Sequence, residues 1–389
     1  MNSNSVARLV NDHESVFLFA FEGGVKGVPF FTDPYEVIQA DTPAEVVRAF
    51  RRIQKYSRRY YLAGFLSYEL GYAFDGYFKQ SPAAGFPLLY FGVFKKPRVF
   101  DRRSIFTVGD DELKKTGISS VCLSRSKQDY YRCIHRIQEY IREGDIYQAN
   151  FCMQYRFRVS ADPFYLFRRL WLRQPVPYGA YVKTPKATIL SFSPELFFKK
   201  TGDRIVCRPM KGTMSRGTFA RQDKRLRNAL HTDGKNRAEN LMIVDLVRND
   251  LSRIARPYSV KVDSLFTVEK YRTLFQMVSQ VRASIRRSVP YYGLFRALFP
   301  CGSITGTPKL RAMRILADLE HVPRRVYCGS IGMIRPDGCA TFNVAIRTAL
   351  LEGGRGEFGV GGGITADSNA EEEYHECLLK GDFFTRMIR

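Results

Sequence analysis

Apolar positions over the first 120 residues come in short alternating runs broken by glycine and proline, as in YYLAGFLSYELGY from Tyr60 to Tyr72. A period of two predicts short strands. After Ser126 the period changes. Ile134, Ile137 and Ile141 share one apolar face, Ser126 and Asp129 are spaced as a capping box, and Gly144 can close the run, so a helix is predicted between Ser126 and Gly144. A strand follows in GDIYQANFCMQYRFRV, a helix in PFYLFRRLWLRQ, and two strands in YGAYV and ATILSFS, ending at SPELFF. Lys235 to Leu251 reads as a long amphipathic helix, and PKLRAMRILADLE as a helix with Pro308 at its first position. A last helix starts near Ala370, with Ser368 and Glu371 as its capping pair. YCGSIGMI, TFNVAIRTAL and EFGVGGGIT read as strands between these helices. Strands in runs, interspersed with helices rather than alternating strictly, predict an α+β design of sheets covered by helices.

Composition narrows the class. The 389 residues are 45% hydrophobic and 14% aromatic, ample for a large core. The eight cysteines form no CxxC pair and no metal-type grouping with the five histidines, as expected for reduced thiols. VFLFAF, Val16 to Phe21, is too short for a signal segment or a membrane span. A soluble, unprocessed cytoplasmic protein with no membrane partner is expected. Lys and Arg total 61 against 38 Asp and Glu, a formal charge of +23 that favours anionic partners. The densest stretch is RRIQKYSRRYY, Arg51 to Tyr61, which reads as a solvated helix face. No helix-turn-helix, zinc-finger or RNP-like signature accompanies it, so nucleic acid is not an expected partner.

Several positions carry candidate chemistry. Glu373 and Glu376 are spaced to share one helix face, where two like charges cost about 0.2–0.5 kcal/mol when exposed. A hard cation would reverse that cost, and Glu239 on another helix could supply a third oxygen, the usual pattern for Mg²⁺. Surface glutamates are the ordinary alternative. In GVGGGIT, Gly359 to Thr365, successive N–H groups without Cβ atoms nearby can converge on an anion; a flexible turn is the alternative. Arg347 in VAIRT, on a strand, offers a fork for a carboxylate or a rim salt bridge. Glu195 follows Ser193-Pro194 at the end of an apolar strand, where desolvation would suit it to protonate a leaving group; it could equally open a helix. Lys211 in RPMKGT either snorkels from a half-buried strand or is a nucleophile.

Taken together these segments resemble the chorismate-utilising enzymes. The resemblance runs from about Ser126 to Lys380 through GDIYQANF, SPELFF, RPMKGT, KNRAENLMIVDLVRNDLSRI, FPCGSITGTPKLRAM, YCGSIGMI, NVAIRT and GVGGGITADSNAEEEYHECLLK. In the first third it is looser, chiefly FLSYELGYAFD. It implies a large β-sheet sandwich with helices packed outside, divided into an N-terminal subdomain of anthranilate synthase component I type at 1–120 and a chorismate-binding catalytic region at 121–389. By position it assigns Glu239, Glu373 and Glu376 to a Mg²⁺ site and Glu195 to the general acid. Ser303, Tyr327, Arg347 and the amides of Gly361, Gly362 and Gly363 would hold the enolpyruvyl side chain and its carboxylate. Thr213 and Gln276 fall in the same substrate site.

Two positions sort the branches of that family. Isochorismate- and salicylate-forming members carry a water-activating lysine where this chain has Gln148, so water activation is not expected. Anthranilate-forming members carry a small residue where this chain has Lys211 and a histidine where it has Gln276. Lys211 resembles the branch that aminates chorismate to 4-amino-4-deoxychorismate, toward para-aminobenzoate and folate. There the lysine amine attacks C2, Glu195 protonates the departing C4 hydroxyl, and ammonia adds at C4. Asn236, Phe275, Cys301 and Thr307 depart from the family pattern, replacing an acid, a histidine, a small residue and an alanine. The tryptophan-sensing LLES segment is not evident near FLFAFEGG, so feedback by tryptophan is not expected. No amidotransferase or lyase region is recognised, so ammonia is expected from a separate glutamine amidotransferase subunit or from solution. Anthranilate synthesis, or a basic non-catalytic binding protein on the same fold, are the competing readings.

Overall fold

Two antiparallel sheets of ten strands each make up the centre of the computed structural model, which describes residues 3–22, 27–75, 85–107, 117–271 and 274–385. The first sheet runs Gly306–Thr307, Gln148–Val159, Arg355–Ile364, Thr348–Glu352, Thr188–Ser193, Tyr178–Lys183, Val16–Phe21, Val28–Thr32, Arg98–Phe100, with Ile118–Leu123 also on Gln148–Val159. The second runs Met210–Ser215, Leu274–Ser284, Arg204–Arg208, Leu196–Thr201, Ala340–Asn343, Ser330–Ile334, Tyr61–Leu66, Leu89–Phe94, Glu36–Ala40, with Lys261–Lys270 on Leu274–Ser284.

Their inner faces meet over an aromatic core that includes Phe17, Phe19, Phe31, Phe65, Tyr90 and Ile189. Outside the first sheet pack Tyr130, Ile134, Phe167, Trp171 and Ile315 from three helices. Outside the second pack Phe50, Ile53, Ile243, Val247 and Phe295 from three others. VFLFAF is buried at all six positions. A strand covered on both faces has no polar side, so it reads as a continuous apolar run. The expected α+β sandwich is the architecture found.

Local signals and tertiary outcome differ at several places. Ser126 caps Lys127–Arg142 by accepting from the Asp129 N–H, as its spacing predicts. Ser368 does not cap the last helix, Ala370–Thr385. Asn369 does, its Oδ1 accepting from the N–H groups of Glu371 and Glu372, because Ser368 Oγ is taken by Glu373. Pro308 flanks Lys309–Glu320 as its N-cap rather than its first residue. The strand-only reading of the first 120 residues is corrected: Ser3–Asp12, Pro43–Tyr56 and Leu70–Asp75 are helices. Charges at Arg48, Arg51 and Lys55 hide the apolar stripe Val46, Ala49, Phe50, Ile53. The basic stretch Arg51 to Tyr61 accordingly divides between the end of that helix, a turn and the start of Tyr61–Leu66. The strands of residues 1–120 enter both sheets. TFNVAIRTAL is two strands, Ala340–Asn343 and Thr348–Glu352, in different sheets.

Candidate active site

The chain crosses between the sheets at two adjoining places, and each crossing carries a charged residue. Ser193-Pro194-Glu195 leads from Thr188–Ser193 to Leu196–Thr201, and Val344 to Arg347 leads from Ala340–Asn343 to Thr348–Glu352. Hydrogen bonds lock the crossings together. Ser193 Oγ donates to the Val344 carbonyl at 2.6 Å, the Val344 N–H to the Glu195 carbonyl at 3.1 Å, and the Phe192 N–H to the Arg347 carbonyl at 3.0 Å. Glu195 thus lies between two strands, not at a helix start. Arg347 lies off the strands, in left-handed backbone with φ 50°, an uncommon conformation for a side chain of its size.

Glu195 is 2% exposed and its Oε1 accepts from Ser303 Oγ at 2.6 Å. Burial pushes its carboxyl up to about 7, with the Ser303 bond and the charge of Lys211 pulling the other way. A carboxyl so placed still holds a proton near neutral pH and can donate it. Burial lowers the Arg347 guanidinium to about 10, against a smaller opposite pull from Tyr271.

Lys211 owes its direction to a bulge. Met210–Ser215 pairs with Leu274–Ser284, and the register slips between Met210 and Thr213, with Gly212 at φ 83°. A bulge of this kind re-aims the side chain beside it. Gln276 Nε2 donates to the Gly212 carbonyl at 3.0 Å, and Thr213 Oγ1 donates to Gln276 Oε1 at 3.1 Å. Thr213 and Gln276 therefore brace the bulge. The amine reaches the opposite sheet: a Cβ on Gly363 would lie 2.9 Å from Lys211 Nζ.

The glycine run is strand, not turn. Arg355–Ile364 pairs with Gln148–Val159 along its whole length, but with Thr348–Glu352 only as far as Phe358. Beyond Phe358 one edge is open. Asn150, Cys152 and Gln154 direct their N–H groups to Thr305, Glu320 and Ser124, away from the glycine strand. Their partners Gly363, Gly361 and Gly359 are thus the non-hydrogen-bonded pairs, whose own N–H and C=O groups face the open edge. Gly362 is in the alternate phase, and its N–H returns to the ladder at Phe151. The expected row of three converging amides is therefore two. Glycine at 362 serves instead to admit Glu373, whose Oε2 would lie 2.9 Å from a Cβ there. Glycine at 359 lets the Tyr327 ring lie on the strand, where a Cβ would come within 2.2 Å.

These elements enclose a cavity of about 540 Å³ lined by Glu195, Lys211, Thr213, Glu239, Gln276, Ser303, Tyr327, Arg347, Gly361, Gly363, Glu373 and Glu376. Its volume suits a small-molecule ligand. Asn150 and Lys380 also line it and were missed in the sequence. Lys380 was within reach of sequence reasoning, since it stands one turn after Glu376.

Two of the lining carboxylates, Glu373 and Glu376, stand one turn apart on Ala370–Thr385. Glu373 is buried, which pushes its carboxyl above the usual range, while Ser368 Oγ donates to it at 2.8 Å. Glu376 is held below that range, chiefly by Lys380, whose Nζ lies 2.6 Å away and also donates to the Gly361 carbonyl at 2.8 Å. Among the described residues no three acidic, histidine or cysteine side chains are drawn together as a preformed metal cluster. The donor set is nonetheless all oxygen, and the space at Gly362 leaves Glu373 a cradle, which fits a hard cation.

A family pattern described as chorismate binding enzyme matches residues 16–386. The chain is 36% identical over 277 residues to aminodeoxychorismate synthase component 1 of Bacillus subtilis, covering 71% of this chain and 59% of that protein. To the protein of the same name from Salmonella typhimurium it is 40% identical over 252 residues, 65% of this chain and 56% of that one. To anthranilate synthase component 1 of Aquifex aeolicus it is 35% identical over 263 residues, 68% and 53%. The matches thus span little more than half the length of these relatives. Two solved structures share the fold. A 2,3-dihydroxybenzoate-specific isochorismate synthase from Bacillus anthracis has a TM-score of 0.79 at 18% identity over 98% of this chain and 99% of that one. Anthranilate synthase component I from Streptococcus pneumoniae has a TM-score of 0.76 at 23% identity over 97% and 91%. With the pattern matching nearly the whole chain and the cavity built from its blocks, the chain belongs to the chorismate binding enzyme family.

Proposed function

We propose that this chain aminates chorismate to 4-amino-4-deoxychorismate, using ammonia from a separate glutaminase subunit and Mg²⁺. The observation that carries the reading is the bulged Lys211, whose Nζ is delivered into the same cavity as a buried, proton-holding Glu195. The relatives named aminodeoxychorismate synthase component 1 support it.

The neutral Lys211 amine attacks C2 of the ring while the C4 hydroxyl leaves with the proton of Glu195 as water. A C2–N bond forms and the C4–O bond breaks. Ammonia then adds at C4, the C2–N bond to lysine breaks, and the surplus proton returns to the Glu195 carboxylate. The net change exchanges hydroxyl for amine at C4. Arg347, Ser303, Tyr327 and the open amides of Gly361 and Gly363 orient the enolpyruvyl group. Glu373, Glu376 and Glu239 would hold the Mg²⁺, whose charge, when bound, neutralises the ring carboxylate. Thr213 and Gln276 keep Lys211 in line by bracing its bulge.

Mass analysis of products from chorismate, ammonium and Mg²⁺ tests the reading. The expected product retains the enolpyruvyl ether and releases no pyruvate, and Lys211→Ala should lose at least about 100-fold in rate, as for removal of a nucleophile. Anthranilate with one equivalent of pyruvate would instead place the chain with the Aquifex relative. Full activity in Lys211→Ala would sink the covalent route.

A further inference from the structure

A hydrogen-bond line continues from Glu195 to a residue outside the reaction cavity. Glu195 Oε1 accepts from Ser303 Oγ at 2.6 Å, and Ser303 Oγ lies 3.3 Å from Cys301 Sγ. All three side chains are buried. Glu195 and Ser303 line the reaction cavity, whereas Cys301 borders a small separate void with Phe197, Cys207, Val247 and Leu298. The thiol therefore meets the carboxyl through Ser303 and has no face toward the substrate. The turn that joins Cys301 to Ser303 is pinned, because the Ile304 N–H and Thr305 Oγ1 both donate to the Cys301 carbonyl, at 3.3 and 3.1 Å. Cys301 is also a position at which this chain departs from the family pattern.

Counting protons along this line gives it a direction. A hydroxyl has one proton to give and two lone pairs to offer, and a thiol is a weak donor and a weaker acceptor. The thiol keeps its proton: burial first, and then the charge of Glu195, pushes Cys301 up to about 12. With Cys301 donating to Ser303 Oγ, the single Ser303 proton goes to Glu195 Oε1, and the acid proton of Glu195 belongs on Oε2. Once that proton has left, the Ser303 bond is to a charged oxygen and is stronger. The other groups that face the pair are Lys211 and the Met210 N–H toward Glu195, and Lys309 toward Cys301. They act on the charge of the two end groups and leave the direction of the Ser303 proton to the thiol.

We propose that Cys301 is a positioning residue whose thiol donates to Ser303 Oγ, fixing that hydroxyl as the donor to Glu195 Oε1 and leaving Oε2 to deliver the proton. For the step that the acid serves, the proposal rests on the amination reading above. The hydrogen-bond line itself can be tested without turnover.

Infrared difference titration of the ligand-free protein is the test. The carboxyl band that disappears in Glu195→Gln reports Glu195, and so separates it from Glu69 and Glu357, which burial also raises to about 7. Without the thiol the Ser303 hydroxyl is free to turn away, the carboxylate loses a donor, and the Glu195 midpoint rises. Cys301→Ala, and Cys301→Val, which fills the space without a donor, should each raise that midpoint by at least about 0.5 pH unit. The alkaline limb of kcat/KM should move with it, and Cys301→Ser should restore the wild-type midpoint. Ser303→Ala should raise the midpoint as well, and adding Cys301→Val to it should raise it no further, because the two residues act in series. A midpoint unmoved or lowered in Cys301→Val overturns the proposal. So does a further rise in the double variant, which would mean that the thiol acts on Glu195 directly. The expected shifts in a protein that forms no aminated product would leave the positioning role standing and overturn the amination reading alone.

Discussion

At the scale of single residues, Glu195 sets the pH behaviour. Its carboxyl is raised from an ordinary 4.5 to about 7, first by burial. A carboxyl raised in this way is protonated below that value, so the acid is available at low pH and withdrawn as pH rises through about 7. At constant free ammonia, kcat/KM for chorismate should fall about tenfold per pH unit above that point. Glu195→Gln should abolish this limb and cost about 10²- to 10⁴-fold in rate. The same shift makes a stability statement. The contribution of the neutral carboxyl is full below 4.5 and lost as pH rises through 7, about 3 kcal/mol for a shift of this size. Glu195→Gln should therefore melt higher than wild type at pH 8 while being nearly inactive, and a melting scan beside a rate measurement checks both halves. A mutant that loses activity and stability together at pH 8 would mean that the carboxylate is accommodated in the fold.

At the scale of elements, the glycine strand separates two kinds of constraint. A Cβ on Gly361 would meet the Phe151 carbonyl at 2.5 Å, which is backbone and cannot yield cheaply. The atoms nearest a Cβ on Gly363 are the side-chain ends of Gln148 and Lys211, at 2.2 and 2.9 Å, rather than backbone. Gly361→Ala should therefore lower the melting temperature, by about 1–3 kcal/mol of overpacking. Gly363→Ala should leave it nearly unchanged and lower kcat, because the displaced group is the proposed nucleophile. Equal effects of the two substitutions on stability would remove this distinction. Much of the helix-level detail was legible in the sequence, since caps and same-face spacings act within four residues. Ser126, the Ile134 stripe and the Glu373–Glu376 face are of this kind. The bulge at Lys211–Gly212 was not, because it exists only against Leu274–Ser284, more than sixty residues away.

At the scale of the molecule, Arg324 ties the layers together beside the site. Its guanidinium, buried, donates to Glu320, to the Ile304 carbonyl and to the Asn150 carbonyl, and lies over the Tyr68 ring. Glu320 in turn accepts from the Cys152 N–H, and Glu69 accepts from the Arg324 and Arg325 N–H groups. One residue thus joins the N-terminal segment, the strand opposite the glycines and the turn carrying Ser303. Arg324→Met would leave Glu320 buried and unpaired, an expected loss of about 3–5 kcal/mol. The double variant Arg324→Met, Glu320→Met should recover most of it, and urea unfolding of both variants is the check. Recovery of stability without recovery of kcat would show that the network also sets the geometry of the cavity.

What the sequence determined by itself was local or chemical: an α+β chain, most of the later helices, and the residue types that line the cavity. Period reports which side of an element is apolar, and residue type reports what chemistry is on offer. Neither reports which sheet an element joins. TFNVAIRTAL has the period of one strand, yet the chain crosses between sheets inside it, and that crossing brings Arg347 into the same cavity as Glu195. EFGVGGGIT reads as a strand in the sequence, with a turn as the alternative for its glycines, but its open edge exists only because Thr348–Glu352 ends its pairing at Phe358. The raised carboxyl of Glu195, the reach of Lys211 across to Gly363 and the alignment of Thr307 with Gln148 were decided by tertiary structure. Each depends on exclusion of water and on contacts between segments more than 100 residues apart, closures that no local window contains.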